Sequence, residues 1–187
     1  MSLRLTLIAA ATTQSARSVF FPNDEPLDQE SEEKIRFATV AFQPALIAYT
    51  SPALRARQTT RALGLDAVVE TALRDCDHGR WTGRSLEEIQ TKEPDAAATW
   101  MRDPHSVPHG GESVVAIVRR VAAWFTAREE TGKAVAVTHP AIIRAAITHV
   151  LEAPAESFWR IDVEPLRRTE FSYDGRRWAV RSLNSAL

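Results

Sequence analysis

The sequence predicts an α/β fold, a three-layer sandwich in which a mostly parallel sheet is flanked by helices and carries a C-terminal antiparallel hairpin. Short apolar runs alternate with longer stretches of helical period along most of the chain. Helix starts marked by Pro52, Pro94 and Pro140 follow soon after apolar runs or loops. Near the end, Asp174-Gly175 separates two alternating runs, a hairpin signal.

Taken in order, Leu3–Ala9 reads as a buried strand, with Leu3, Leu5, Leu7 and Ile8 suited to a sheet centre. A polar loop with Phe20-Phe21-Pro22 follows, and residues 27–42 read as a helix on Ile35, Phe37, Val40 and Phe42. Residues 45–50 form a second strand. Ser51 is expected to cap the next helix with Pro52 at its first position, and Gly64 to end it. Residues 67–70 are a third strand, and 75–83 are irregular. Ser85 and Glu88 have capping-box spacing, and Pro94 opens another helix. After a Pro/Gly-rich loop at 105–111, Val114, Ile117, Val118, Val121, Trp124 and Phe125 form a helical stripe within 113–128. Residues 134–138 are the clearest strand, 141–151 a helix, and 168–173 with 178–183 the hairpin. No linker, repeat or low-complexity tract divides the chain, so residues 1–187 are expected to form one domain.

A net charge of -1 gives no general pull toward nucleic acid or an anionic membrane, so an anion site must be a local cluster. The apolar run at 5–11 is short and preceded only by Arg4, which suits a strand better than a signal sequence. No stretch approaches the roughly 20 apolar residues of a membrane helix. Cys76 is the only cysteine, which fits a reducing, cytoplasmic setting and gives no thiolate metal cluster. Neither a metal nor another cofactor is implied.

In open α/β sheets ligands bind beyond the carboxyl ends of the strands. Arg55, in the first turn after the second strand, belongs there, as do His139, directly after the fourth, and Asp75, with Asp77 and His78, after the third. The first strand delivers Ala9, Ala10, Ala11, Thr12 and Thr13 to the same edge. On the residues alone this is an anion pocket without a reaction, and Arg57 and Arg61 read as surface residues.

Four segments in order resemble the histidine phosphatase superfamily, the phosphoglycerate mutase-like fold. Ser51-Pro52-Ala53-Leu54-Arg55-Ala56-Arg57-Gln58-Thr59 is similar to its Ser-x-Leu-x-Arg-Ala-x-x-Thr segment. Residues 73–83, ending Gly79-Arg80-Trp81-Thr82-Gly83, resemble its acid loop, and Gly111-Glu112-Ser113 its turn before a long helix. Val135-Ala136-Val137-Thr138-His139-Pro140 resembles the strand delivering its second histidine.

The resemblance implies that Arg55 and His139 hold phosphate oxygens and that Asp75 protonates the leaving group. Such groups answer the needs of phosphoryl transfer, donors around the equatorial oxygens and an acid in line. The resemblance also implies a departure. Leu7-Ile8-Ala9-Ala10-Ala11-Thr12-Thr13 stands where the family reads Leu-Ile-Arg-His-Gly-x-Thr. Ala9 replaces a phosphate arginine and Ala10 the nucleophilic histidine, and Ala16 stands where an asparagine is common. Thr13, and Arg17 swinging in to restore the lost charge, are further candidate phosphate contacts.

The reading favoured by the sequence is a catalytically degenerate member that binds a phosphorylated or other anionic small molecule. An active phosphomonoester hydrolase or mutase using His139 or water as nucleophile, and a non-catalytic interaction protein keeping only the fold, remain open. A deliberate exchange at Ala9 or Ala10 to trap substrate is a further reading, against which stands the loss of the glycine and asparagine positions as well.

Overall fold

The computed structural model describes residues 2–37 and 47–187. Six strands form one mixed sheet in the order β3-β2-β4-β1-β5-β6. β1 (Leu3–Ala9), β2 (Ile47–Thr50), β3 (Val68–Val69) and β4 (Gly132–Thr138) run parallel, and β5 (Arg167–Tyr173) and β6 (Trp178–Ala186) add the antiparallel hairpin. Between them lie α1 (Gln14–Arg17), α2 (Gln29–Phe37), α3 (Leu54–Ala62), α4 (Leu86–Lys92), α5 (Pro94–Arg102), α6 (Val114–Thr126) and α7 (Pro140–Val150). The sequence reading missed α1 and the short 3-10 turns at Thr71–Leu73 and Ala155–Arg160, which lack any periodic stripe. The outer half of the expected 27–42 helix, with Val40 and Phe42, lies outside the described residues, as does the start of the 45–50 strand.

Strand alternation builds two cores. Leu3, Leu5, Leu7 and Ala9 of β1, with Ala134 and Ala136 of β4, face α6 and α7. Ile8 and Ala10, with Val135 and Val137, face α2 and α3. In α6, Val114, Ile117, Val121, Trp124 and Phe125 are buried, the stripe read from the sequence. Ser113 caps this helix by accepting from the Ala116 amide at 3.1 Å.

The topology places the site. β1 and β4 are neighbours, yet the helix following β1 packs on one face and the helix following β4 on the other. Their carboxyl ends therefore open a crevice between diverging connections, the switch point where α/β folds bind ligands.

One expected cap is corrected. The helix after β2 begins at Leu54, not at Pro52, and its N-cap is Ala53 without a side-chain bond. Ser51 Oγ accepts from the Ala53 amide at 3.3 Å, one residue short of the helix, and lies 2.7 Å from His139 Nε2.

The loop carrying Asp75 is held by close backbone approach. A Cβ on Gly111 would lie 2.1 Å from the Asp77 carbonyl oxygen, and one on Gly79 would lie 2.2 Å from that of His109. Gly79 also has φ +48°, a left-handed conformation that favours glycine. The two motif glycines thus let the 77–79 and 109–111 segments touch. Gly111→Ala is expected to destabilise the fold by about 1–3 kcal/mol in urea unfolding, the cost of overpacking a site that cannot move apart. A loss under about 0.5 kcal/mol, the size of an ordinary surface change, would contradict this close approach.

Candidate anion site

The carboxyl ends of β1, β2 and β4 are joined by side chains from the motif segments. Thr59 Oγ1 donates to the Arg55 carbonyl at 2.8 Å and accepts from the Ala11 amide at 3.1 Å, tying α3 to the end of β1. Thr138 Oγ1 donates to the Leu73 carbonyl at 2.8 Å, tying β4 to the segment that leads into Asp75. The Ala10 amide donates to the Thr138 carbonyl at 2.7 Å, which sets Ala10 beside the residue before His139.

Arg55, His139 and Asp75 meet there, as the sequence predicts. Arg55 is 8% exposed and His139 is fully buried. Arg55 Nη2 donates to Asp75 Oδ2 at 2.5 Å and to His139 Nδ1 at 2.9 Å, and Nε points to the same nitrogen at 3.2 Å. A guanidinium only donates, so His139 Nδ1 is an acceptor and the ring proton sits on Nε2. That N–H donates to Ser51 Oγ. Burial pushes the His139 pKa down to about 4, with Asp75 opposing and Arg55 reinforcing the shift. The ring is therefore neutral at pH 7.

Asp75 is paired with Arg55. Burial alone raises its carboxyl, but His139, Arg55, His78 and the Cys76 amide outweigh burial and hold it below the usual carboxylate value. It is an ion partner of Arg55. Cys76, next to it, offers no substitute nucleophile: burial first, then Asp75 and Glu112, push its thiol well up.

Other expected contacts are not brought in. Thr13 is not among the residues lining the cavities, and its Oγ1 accepts from the Ala16 amide at 3.3 Å to cap α1. Its hydroxyl serves the turn after β1. The side chain of Arg17 lies outside the described residues. Ala10 does line the cavity, whereas Ala9 is fully buried in the core shared with α6 and α7.

Two cavities share Arg55 and Asp75. One of about 280 Å³ also includes Asp24, Arg74 and His139, and Asp24 Oδ1 accepts from the Leu54 amide at 2.6 Å. The other, of about 570 Å³, has mainly apolar walls. Arg74 was not singled out from the sequence, although it directly precedes Asp75. It lies 3.3 Å from Glu112, which in turn forms a two-pronged pair with Arg120 at 2.7 and 2.9 Å. Arg120 also donates to the Ala72 and Arg74 carbonyls, so this pair braces the acid loop. Among the described residues no group of three or more His, Cys, Asp or Glu is placed to hold a metal ion, and no helix is long and apolar enough to cross a membrane.

Fold and site together define a protein with the phosphatase architecture of an α/β switch-point pocket. The family model described as histidine phosphatase superfamily (branch 1) matches residues 10–186, and the chain belongs to that family. Phosphoserine phosphatase 1 of Hydrogenobacter thermophilus is 28% identical over 74% of this chain and 69% of its own length. Glucosyl-3-phosphoglycerate phosphatase of Mycobacterium tuberculosis is 32% identical over 71% of this chain and 69% of its own length. A bifunctional protein of Mycobacterium tuberculosis is 31% identical over 72% of this chain, which spans only 39% of that longer protein. Among solved structures, mycobacterial glucosyl-3-phosphoglycerate phosphatase complexed with VO3 superimposes with a TM-score of 0.84 at 26% identity, covering 98% of this chain and 99% of that one. A phosphoserine phosphatase mutant from Entamoeba histolytica, with histidine replaced by alanine and phosphoserine bound, shares the fold with a TM-score of 0.83 at 20% identity, covering 98% of this chain and 97% of that one.

Two outcomes follow from the buried network. Ser51→Ala leaves the His139 Nε2–H without its acceptor and is expected to cost about 1–3 kcal/mol in denaturant unfolding, the range for an orphaned buried polar group. Burial also pushes His109 down to about 4. The unfolded chain protonates both histidines near their ordinary value of 6.5, and the folded chain only near 4. Stability is therefore full above pH about 6.5 and lost as pH falls toward about 4. A thermal-melt series from pH 8 to pH 4 checks this, and a flat midpoint between pH 6.5 and 4.5 would contradict it.

Proposed function

We propose that this chain is an anion-binding member of the histidine phosphatase superfamily that has lost histidine-based phosphoryl transfer, its residues 1–187 acting as one domain. The observation that carries the reading is Ala10 on the wall of the same cavity as Arg55 and Asp75. At the position where the resemblance implies the nucleophile, a methyl group has neither lone pair nor proton donor. Loss of such a group removes on the order of a millionfold in turnover where it has been measured in a serine protease.

Arg55 is the group proposed to face the anion, with His139 behind it as an acceptor for its guanidinium and Arg74 in the lining of the smaller cavity. A phosphate or carboxylate entering there competes with Asp75 for the Arg55 guanidinium, whose planar fork suits either oxyanion. The bound phosphoserine in the histidine-to-alanine relative from Entamoeba histolytica supports binding without a full nucleophile set on this fold.

His139 is poorly placed to serve as a replacement nucleophile. Its Nδ1 lone pair faces Arg55, its Nε2 proton is committed to Ser51, and the ring has no solvent exposure. Activation of a water also lacks a free base, because Asp75 is paired with Arg55.

Steady-state hydrolysis of an aryl phosphate tests the proposal. The unmodified protein and its His139→Ala variant are both expected at the buffer background. Turnover by the unmodified protein that disappears in His139→Ala would overturn the reading and return the reaction to His139 or a water beside it.

A further inference from the structure

The larger cavity is built for more than an oxyanion. At about 570 Å³ it falls in the range of small-molecule pockets, roughly 300–1,000 Å³, and far exceeds what a phosphate group fills. Its wall carries Trp100, Phe158 and Trp159, with the two tryptophan rings edge to face at 4.6 Å between centroids. Its rim carries Val19, Phe20 and Met101, which are 59%, 38% and 52% exposed. Those apolar groups stay in contact with water until something covers them, and all three border one opening.

The charges are as informative. Among the described residues that line this cavity, Arg55 and Arg144 stand against the single carboxylate of Asp75. Burial, its largest influence, lowers the His78 pKa, so His78 adds no charge at pH 7. Two cations against one anion leave at most one positive charge in the lining, and the Asp162 carboxylate outside it acts on Arg144. The neighbouring smaller cavity adds Asp24 and Arg74 together, and Arg74 is already paired with Glu112. Ala9 and Ala10 contribute no charge where the family resemblance implies an arginine and a histidine. A dianion brought to Arg55 would exceed the available positive charge and face the Asp75 carboxylate, and uncompensated charge is costly in a poorly hydrated pocket.

Resting on the anion-binding reading, we infer that the cavity takes a small monoanion with an aromatic or branched apolar body, its head toward Arg55 and its body against Trp100, Phe158 and Trp159. The apolar walls supply most of the affinity and the single net charge selects the head group. The exposed rim closes over the far end of the body.

Titration calorimetry on the full chain at pH 7 tests this with four probes: acetate, phenylacetate, inorganic phosphate and benzyl alcohol. Phenylacetate is expected to bind at least about tenfold more tightly than acetate, the gain of burying part of a ring, and more tightly than phosphate or benzyl alcohol. Met101→Gln, a neutral polar change of similar size at an exposed position, is expected to weaken phenylacetate severalfold and acetate by less. If acetate or phosphate binds as tightly as phenylacetate, the apolar body is refuted and the anion site stands. If benzyl alcohol matches phenylacetate, the anion site is refuted. If none of the four binds, both are.

Discussion

Everything at this site depends on how one buried positive charge is satisfied. Arg55 enters the crevice from the first turn of α3, almost out of reach of water. A guanidinium there needs acceptors on several sides, and it takes them from Asp75 and His139. That demand fixes the histidine tautomer, keeps the carboxylate ionised and sends the remaining imidazole proton to Ser51. The arrangement is closed upon itself. A ligand must offer Arg55 a better acceptor than the protein already does, which sets a threshold that a weakly basic or bulky neutral molecule does not cross.

Much of this was legible in the sequence, for identifiable reasons. The central strands β1 and β4 are continuous apolar runs, and α6 has an unambiguous stripe, so periodicity found them. Arg55, Asp75 and His139 were found because each lies in the connection that follows a strand, where the α/β rule places ligands. The wider roles of Ser51, Thr59 and Thr138 were not legible. A short hydroxyl side chain reads as a helix cap or a solvated turn until the fold brings a distant partner to it, and the partner of Ser51 is 88 residues away. Arg120 was hidden for the same reason: on the sequence it is one more helix arginine, and only the folded loop presents it with Glu112 and two carbonyls. The pairing of Asp75 was not legible either, because the resemblance implied a job for the carboxyl without showing that Arg55 would lie against it.

The large cavity also lay beyond sequence reading. Its walls come from the loop after β1, from α5, α6 and α7, and from the turn at Ala155–Arg160. Trp100 lies on a short helix with no buried residue, and Trp159 in a turn without periodic pattern, so neither signals a pocket by itself. Their meeting is a product of tertiary packing, in which α7 and the 155–160 turn cover the same face of the sheet.

The backbone of the alanine segment after β1 is held by partners elsewhere in the fold. The Ala9 carbonyl accepts from Leu166, the Ala10 amide donates to Thr138 and the Ala11 amide to Thr59. Thr12 is tied on both sides, to Ser31 and to Asp28. No side chain of this segment between positions 9 and 11 bears any of that holding. Selection on foldedness is therefore blind to what those three side chains are, provided they fit. Any small side chain that fits at these positions leaves the fold, and the pocket it builds, unchanged.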